Sequence, residues 1–220
     1  STLMRSSAAS DVYKRQIFDV DGTLWDSTDI VAQAWNQVIS QKTDRPANLT
    51  GKDLKNLFGR LLEDIAAVIF ADEPKERQLE LIDLCCQEEH RALLDTPAPV
   101  YDGLEDALKI LSRKYRLFIV SNCQAGYIEV FLAATGLAGY FEAHLCPGDT
   151  GKAKAANIKT IVDTYHLKSA VYVGDTAGDF QATKEAGLPF IFASYGFGQV
   201  TQPDAVISSL QELPEVTAIL

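Results

Sequence analysis

Acidic, hydroxyl and ammonium side chains occur at four separate places in the 220-residue chain, each just after a short apolar run. Asp19-Val20-Asp21-Gly22-Thr23-Leu24 follows Ile17-Phe18, and Ser121-Asn122 follows Arg-Leu-Phe-Ile-Val. Lys152 and Lys154 lie beyond Phe-Glu-Ala-His-Leu, and Asp175 follows Ala-Val-Tyr-Val-Gly, with Asp179 one helical turn further on. If these runs are strands of one sheet, their ends bring three or four carboxylates together beside an ammonium and a hydroxyl. Two like charges ~4 Å apart repel by about 4 kcal/mol at an effective dielectric of ~20. Only a cation or proton uptake relieves that repulsion, so the cluster predicts a hard, oxygen-preferring divalent ion, Mg²⁺.

The elements that must position these groups are legible in the apolar pattern. A short strand is predicted over residues 17–20, ending in the turn pair Asp21-Gly22. Residues 28–96 read as helical throughout: Ile30, Val31, Ala34, Trp35 and Val38 recur at helical spacing, as do Leu54, Leu57, Leu61, Leu62 and Ile65. A third stripe runs through Leu79, Ile82, Leu84, Cys86 and Leu93. Pro97 and Pro99 close the segment. Strands over 116–121, 141–145, 170–174, 189–193 and 205–207 then alternate with helices over 104–114, 126–135, 153–165 and 180–186. Such alternation predicts a parallel sheet covered on both faces, with ligands at the carboxyl ends of the strands. The expected fold is therefore an α/β, Rossmann-like parallel core over 17–27 and 97–220, interrupted by an all-helical cap over 28–96. Residues 1–16 show neither strand alternation nor a helical stripe and read as a non-native or disordered segment outside the fold.

The four stretches resemble the motifs of the haloacid dehalogenase superfamily, in its phosphatase branch. Ile17-Phe18-Asp19-Val20-Asp21-Gly22-Thr23-Leu24-Trp25-Asp26-Ser27 carries most of the likeness, and Tyr101-Asp102-Gly103-Leu104 and Tyr195-Gly196-Phe197-Gly198 add to it. The phosphoglycolate-phosphatase-like members, with a helical cap after the first motif, are the most similar in pattern. The resemblance implies an aspartyl-phosphate mechanism on a small phosphorylated metabolite. Asp19 would be the nucleophile, and Asp21 the general acid and then the base. Gly22 would let the backbone turn at the phosphate. Ser121, the backbone around Asn122, and Lys154 would bind the phosphoryl group. Asp175, the Asp19 carboxylate and the Asp21 carbonyl would hold Mg²⁺, with Asp179 acting from behind them.

Each residue also has a plainer reading. Asp175 alone suits a helix N-cap, Asp179 suits the first turn of a helix, and Asp26 and Ser27 suit the cap of the first inserted helix. One of Lys152 and Lys154 is the motif lysine and the other is solvated; Lys154 fits the spacing better. Gly196 and Gly198 form a G-x-G too short for a nucleotide fingerprint. A β-phosphoglucomutase-like phosphomutase shares all four motifs. A dehalogenase needs neither Asp21 nor Asp175, and a non-catalytic phosphate-binding relative is expected to have lost a motif residue. Substrate choice falls to cap residues such as Trp35, Lys55, Phe58 and Arg60.

Composition narrows the remaining classes. The net charge of −10 argues against nucleic acid as a partner. No apolar run approaches the ~18 residues of a membrane span, and no secretory signal is present. Four cysteines without a C-x-x-C pair read as reduced apolar residues, which implies a cytoplasmic enzyme working as a monomer or weak homodimer.

Overall fold

The computed structural model describes residues 15–219; the expectation for residues 1–14 lies outside the described residues. The chain runs β1 (Arg15–Phe18), α1 (Thr28–Lys42), α2 (Gly51–Lys55), α3 (Leu62–Ile69), α4 (Lys75–Asp95), α5 (Leu104–Leu111), β2 (Arg116–Val120) and α6 (Tyr127–Thr135). It continues through β3 (Phe141–Leu145), α7 (Pro147–Thr150), α8 (Lys154–Thr164), β4 (Ala170–Gly174), α9 (Ala177–Glu185), β5 (Phe190–Ala193), β6 (Ala205–Ile207) and α10 (Leu213–Ile219). The strands form one six-stranded sheet in the order β3-β2-β1-β4-β5-β6, and every neighbouring pair is parallel. The order reverses at β1 and β4, which is where an open α/β sheet leaves a crevice for a ligand.

Successive strand residues feed opposite faces, as the period of a strand requires. Ile17, Phe118, Val120, Tyr172 and Phe190 pack with Ile158 and Ile161 of α8 on one side. Phe18, Leu117, Ile119, Val171 and Ile191 pack on the other, with Leu104, Leu108 and Leu111 of α5 and Phe131 of α6. Burial on both faces explains why the strands read as apolar runs rather than as alternating sequence.

Several boundaries differ from the sequence expectation. Arg15 and Gln16 were assigned to the segment outside the fold, yet both are buried in β1 and pair with β2 and β4 on either side. The Gln16 side chain also donates to Thr217 Oγ1 in α10. The strand then ends at Phe18 rather than Val20, because the Val20 carbonyl turns to accept from the backbone N–H groups of Thr23 and Leu24. Helix α9 begins three residues earlier than expected. Thr176 accepts from the Asp179 N–H while the Asp179 carboxylate accepts from the Thr176 N–H, a capping box that starts the helix at Ala177.

Helices α1 to α4 form the inserted cap, with α1 packed along α4 through Val31, Ala34, Trp35 and Val38 on one side and Leu81, Ile82, Cys85, Glu89 and Leu93 on the other. Leu79, placed on the buried stripe by the sequence pattern, is 42% exposed. The two strands of chain that tie the cap to the core are paired with each other. Asp26 N–H donates to the Pro99 carbonyl and Tyr101 N–H to the Leu24 carbonyl, so a two-stranded stalk joins the cap to the core.

Candidate active site

The sheet register sets the geometry of the site. Phe18 is level with Ile119 of β2 and Val173 of β4, so Asp19 leaves the sheet between Val120 and Gly174, just below Ser121 and Asp175. Helices α8 and α9 bring Lys154 and Asp179 to the same edge from behind. All of Asp19, Ser121, Lys154, Asp175 and Asp179 are buried, none more than 4% exposed.

Lys154 lies between two carboxylates, its Nζ 2.7 Å from Asp19 Oδ1 and 2.5 Å from Asp179 Oδ1. Burial pulls the ammonium's pKa down, but Asp179 and Asp19 together hold it well above the usual lysine value. Lys152 is exposed, which separates the two lysines that the sequence left as rivals. Asp179 is satisfied on both oxygens, because Oδ2 accepts from the Asp175 and Thr176 N–H groups and from Thr176 Oγ1. Asp179 thus caps α9 and bonds Lys154 at the same time.

Oxygen atoms of Asp19, Asp175 and Asp179 all lie within 4.8 Å of one another. Burial and the neighbouring Asp179 charge push Asp19 up to about 6, and burial with Asp179 and Asp19 holds Asp175 well above the carboxylate range. Three buried carboxylates share one ammonium, so the donor set is short of positive charge and all-oxygen, which fits a hard divalent cation. The Asp175 carboxylate is oriented by Phe197 N–H, 2.7 Å from Oδ2. Here the Gly-Phe-Gly loop has its role. A Cβ on Gly196 would stand 2.3 Å from Asp175 Cβ, and one on Gly22, whose φ is +78°, would stand 2.2 Å from Asp175 Oδ2.

Asp21 sits in a different environment. Its Oδ1 accepts from Ser27 Oγ at 2.6 Å, Tyr127 OH at 2.7 Å and Trp25 Nε1 at 3.0 Å. Burial is the dominant influence and lifts its pKa to about 7, and the hydroxyl donors only moderate the rise. Ser27 is thus not the helix cap expected from sequence: it makes no capping bond and turns inward to Asp21. Asp26 does the local work instead, accepting from Thr28 N–H and Oγ1 and pairing with Lys55 at 2.5 Å. Tyr127 had no signal in the sequence, since it lies 106 positions from its partner. Replacing it with Phe removes a donor to the charged form. The expected result is a kcat/KM profile whose alkaline limb moves up by about one pH unit, read from initial rates between pH 5 and 9.

Asp19 and Asp21 face a cavity between core and cap, also lined by Ser121, Asn122, Trp35 and Phe58. Asn122 ties the two bodies together, its Nδ2 donating to the Gly59 carbonyl at 2.9 Å. Trp35 and Phe58 thus reach the cavity as the sequence suggested, whereas Lys55 is held by Asp26, and Arg60 is exposed and absent from the lining. Among the described residues no helix is long and apolar enough to cross a membrane.

Comparison with known proteins agrees with this arrangement. The chain is 28% identical over 218 residues to the plasmid phosphoglycolate phosphatase of Cupriavidus necator, covering 90% of each chain. It is 26% identical over 210 residues to the phosphoglycolate phosphatase of Aquifex aeolicus, covering 90% of this chain and 93% of that one. Among solved structures, a haloacid dehalogenase-like family hydrolase from Streptococcus pneumoniae superposes with a TM-score of 0.79 at 21% identity, covering 92% of this chain and 97% of that one. CbbY from Rhodobacter sphaeroides, in complex with phosphate, gives 0.77 at 17% identity, over 92% and 96%. The sequence profile of the haloacid dehalogenase-like hydrolases matches residues 16–193, which span β1 to β5 and every acidic residue of the site: the chain belongs to that family.

Proposed function

We propose that the protein is a Mg²⁺-dependent phosphatase of small phosphomonoesters that works through an aspartyl-phosphate. The observation that carries this reading is the contrast between two carboxyls in one cavity wall. Asp19 is paired with the Lys154 ammonium, which opposes the rise that burial and Asp179 cause and leaves its pKa at about 6, whereas Asp21 has only neutral donors and a pKa lifted to about 7 by burial. One is suited to attack and the other to carry a proton at neutral pH.

In this reading an Asp19 oxygen attacks phosphorus, the bond from phosphorus to the ester oxygen breaks, and the departing alkoxide takes the Asp21 proton. The Asp21 carboxylate then removes a proton from water, whose oxygen attacks the acyl phosphate and frees inorganic phosphate and Asp19. Ser121 and Lys154 receive the phosphoryl oxygens. Asp19 and Asp175, with the Asp21 carbonyl, would hold the cation, and Asp179 would steady Lys154 behind them. When bound, Mg²⁺ supplies charge that screens the nucleophile from an anionic substrate and stabilises the transferring oxygens. The phosphate in CbbY and the names of the curated relatives support the same chemistry. Four free, buried cysteines suit a reducing compartment.

The test is release of phosphate from p-nitrophenyl phosphate and a panel of phosphorylated metabolites. The chelated protein is expected to be inactive and to recover with added MgCl₂. Many equivalents of inorganic phosphate per enzyme separate a phosphatase from a phosphomutase. A folded sample that stays inert on the whole panel with Mg²⁺ present overturns the reading.

A further inference from the structure

The cap places a carboxylate in the cavity that the phosphatase chemistry does not use. Glu89, on α4, is 3% exposed, and both its oxygens accept from N–H donors: Trp35 Nε1 lies 2.7 Å from Oε2, and Gln124 Nε2 lies 3.0 Å from Oε1. That pattern of two donors suits an ionised carboxylate. Yet among the described residues no lysine or arginine pairs with it, and none lines the cavity. Burial accordingly lifts its pKa to about 8, with the donors from Gln124 and Trp35 opposing the rise. His90 does not supply the missing charge: its Nε2 approaches Gln124 Nε2 at 3.0 Å, and burial lowers its pKa towards the neutral form.

A second acceptor in the same wall is also left without a donor. Asn122 spends its Nδ2 on the Gly59 carbonyl, while its Oδ1 is buried with no hydrogen-bond partner. The cap side of the wall also carries aromatic faces, with the Trp35 and Phe58 rings 6.3 Å apart, and Tyr127 stands beside Asp21. A buried carboxyl that a bound cation would hold ionised, an unpaired acceptor and aromatic faces together form a receptor for a cation rich in N–H groups. The same surroundings oppose a second carboxylate, since it would meet Glu89 and Asp21 with no compensating cation.

We propose that the leaving group carries a primary ammonium: the substrate is a small phosphorylated amino-alcohol, its phosphate held at Asp19 and its ammonium by Glu89 and Asn122. This inference rests on the phosphatase reading of the site. It departs from the curated relatives, which are named for a substrate whose leaving group bears a carboxylate.

Three substrates of matched length test it: 2-aminoethyl phosphate, 2-hydroxyethyl phosphate and phosphoglycolate, with p-nitrophenyl phosphate as the reference for turnover. With Mg²⁺ at neutral pH, kcat/KM is expected to fall in that order, by ten-fold or more from ammonium to carboxylate. Glu89→Gln is expected to bring the ammonium-to-carboxylate ratio to within about three-fold, mainly through a higher KM for the ammonium ester; a loss of packing alone would not move a ratio between matched substrates. Equal rates on the three esters, a preference for phosphoglycolate, or an unchanged ratio in Glu89→Gln overturns the proposal while turnover of p-nitrophenyl phosphate leaves the phosphatase reading intact. If nothing is hydrolysed, that reading fails, and calorimetric binding of the same three esters to the Mg²⁺-loaded protein decides the preference: tighter binding of 2-aminoethyl phosphate supports it, and equal or weaker binding overturns it.

Discussion

Asp19→Asn is expected to lower Mg²⁺-dependent phosphate release by on the order of 10⁴-fold or more, on every phosphomonoester the wild type accepts. The amide keeps the size of the carboxylate but removes both the nucleophilic oxygen and one of the charges that would face the cation. The fold should survive the change. Asp19 lies beside Asp179, whose charge together with burial already raises its pKa, so neutralising it relieves repulsion, and Lys154 keeps its bond to Asp179. Thermal unfolding of the metal-free variant is therefore expected at the wild-type temperature or above it. Asp179→Asn acts at a distance from the substrate: it weakens the capping box of α9 and loosens Lys154, so activity falls by about ten-fold and is not lost. A variant at Asp19 that turns over as fast as the Asp179 variant is incompatible with the roles given to the two residues.

Lys154→Met removes the one ammonium that two buried carboxylates share. Methionine fills much of the same volume, so the expected damage is electrostatic. Breaking a buried pair by deleting one partner costs about 3–5 kcal/mol, because the remaining charges stay unpaired. For a chain of this size that corresponds to a fall in Tm of roughly 10 °C. Phosphate release is expected to drop by on the order of 10³-fold, since the transferring group loses its cationic partner. The loss of stability should be largest without metal and shrink at saturating MgCl₂, which supplies positive charge to the same carboxylates. Calorimetric scans with and without MgCl₂ check the sign. Lys152→Met, on the exposed side of the loop, is expected to change neither quantity.

The parts of the site that were legible in the sequence are those built locally. Asp19, Asp21 and Gly22 share one turn, and Asp175 and Asp179 share another, so residue type and spacing were enough to suggest them. The capping box at Thr176 and Asp179 was missed, although a Thr followed three positions later by an acid signals one, and the expected start of α9 therefore fell three residues late. What spacing could not reveal is how distant side chains close on those turns. Ser27 reads as a cap until the folded stalk turns it towards Asp21, and Tyr127 meets the same carboxylate only because α6 packs beneath the cap. The Gly-Phe-Gly loop is uninformative in isolation, and its part in orienting Asp175 follows from a backbone N–H, which no residue type reports. Glu89 is an intermediate case. It was not singled out in the sequence, although it falls on the buried stripe of α4 with Ile82, Cys86 and Leu93, where helical spacing calls for an apolar residue. A charge at such a position marks a partner, and the partner lies outside the helix. The fold itself was read more completely, because its strands are buried on both faces and stand out as apolar runs. Among the strands β1 was misplaced most, since Arg15 and Gln16 are polar residues buried by the ladder rather than by hydrophobicity.

The central claim is that Asp19 carries the phosphoryl group between substrate and water. Mixing the protein with Mg²⁺ and a ³²P-labelled phosphomonoester, then quenching in acid within milliseconds, tests it directly. The account predicts acid-stable, hydroxylamine-sensitive label on the peptide that contains Asp19, and none on the Asp19→Asn protein. Steady turnover with label on no peptide, or on a peptide that lacks Asp19, would contradict it.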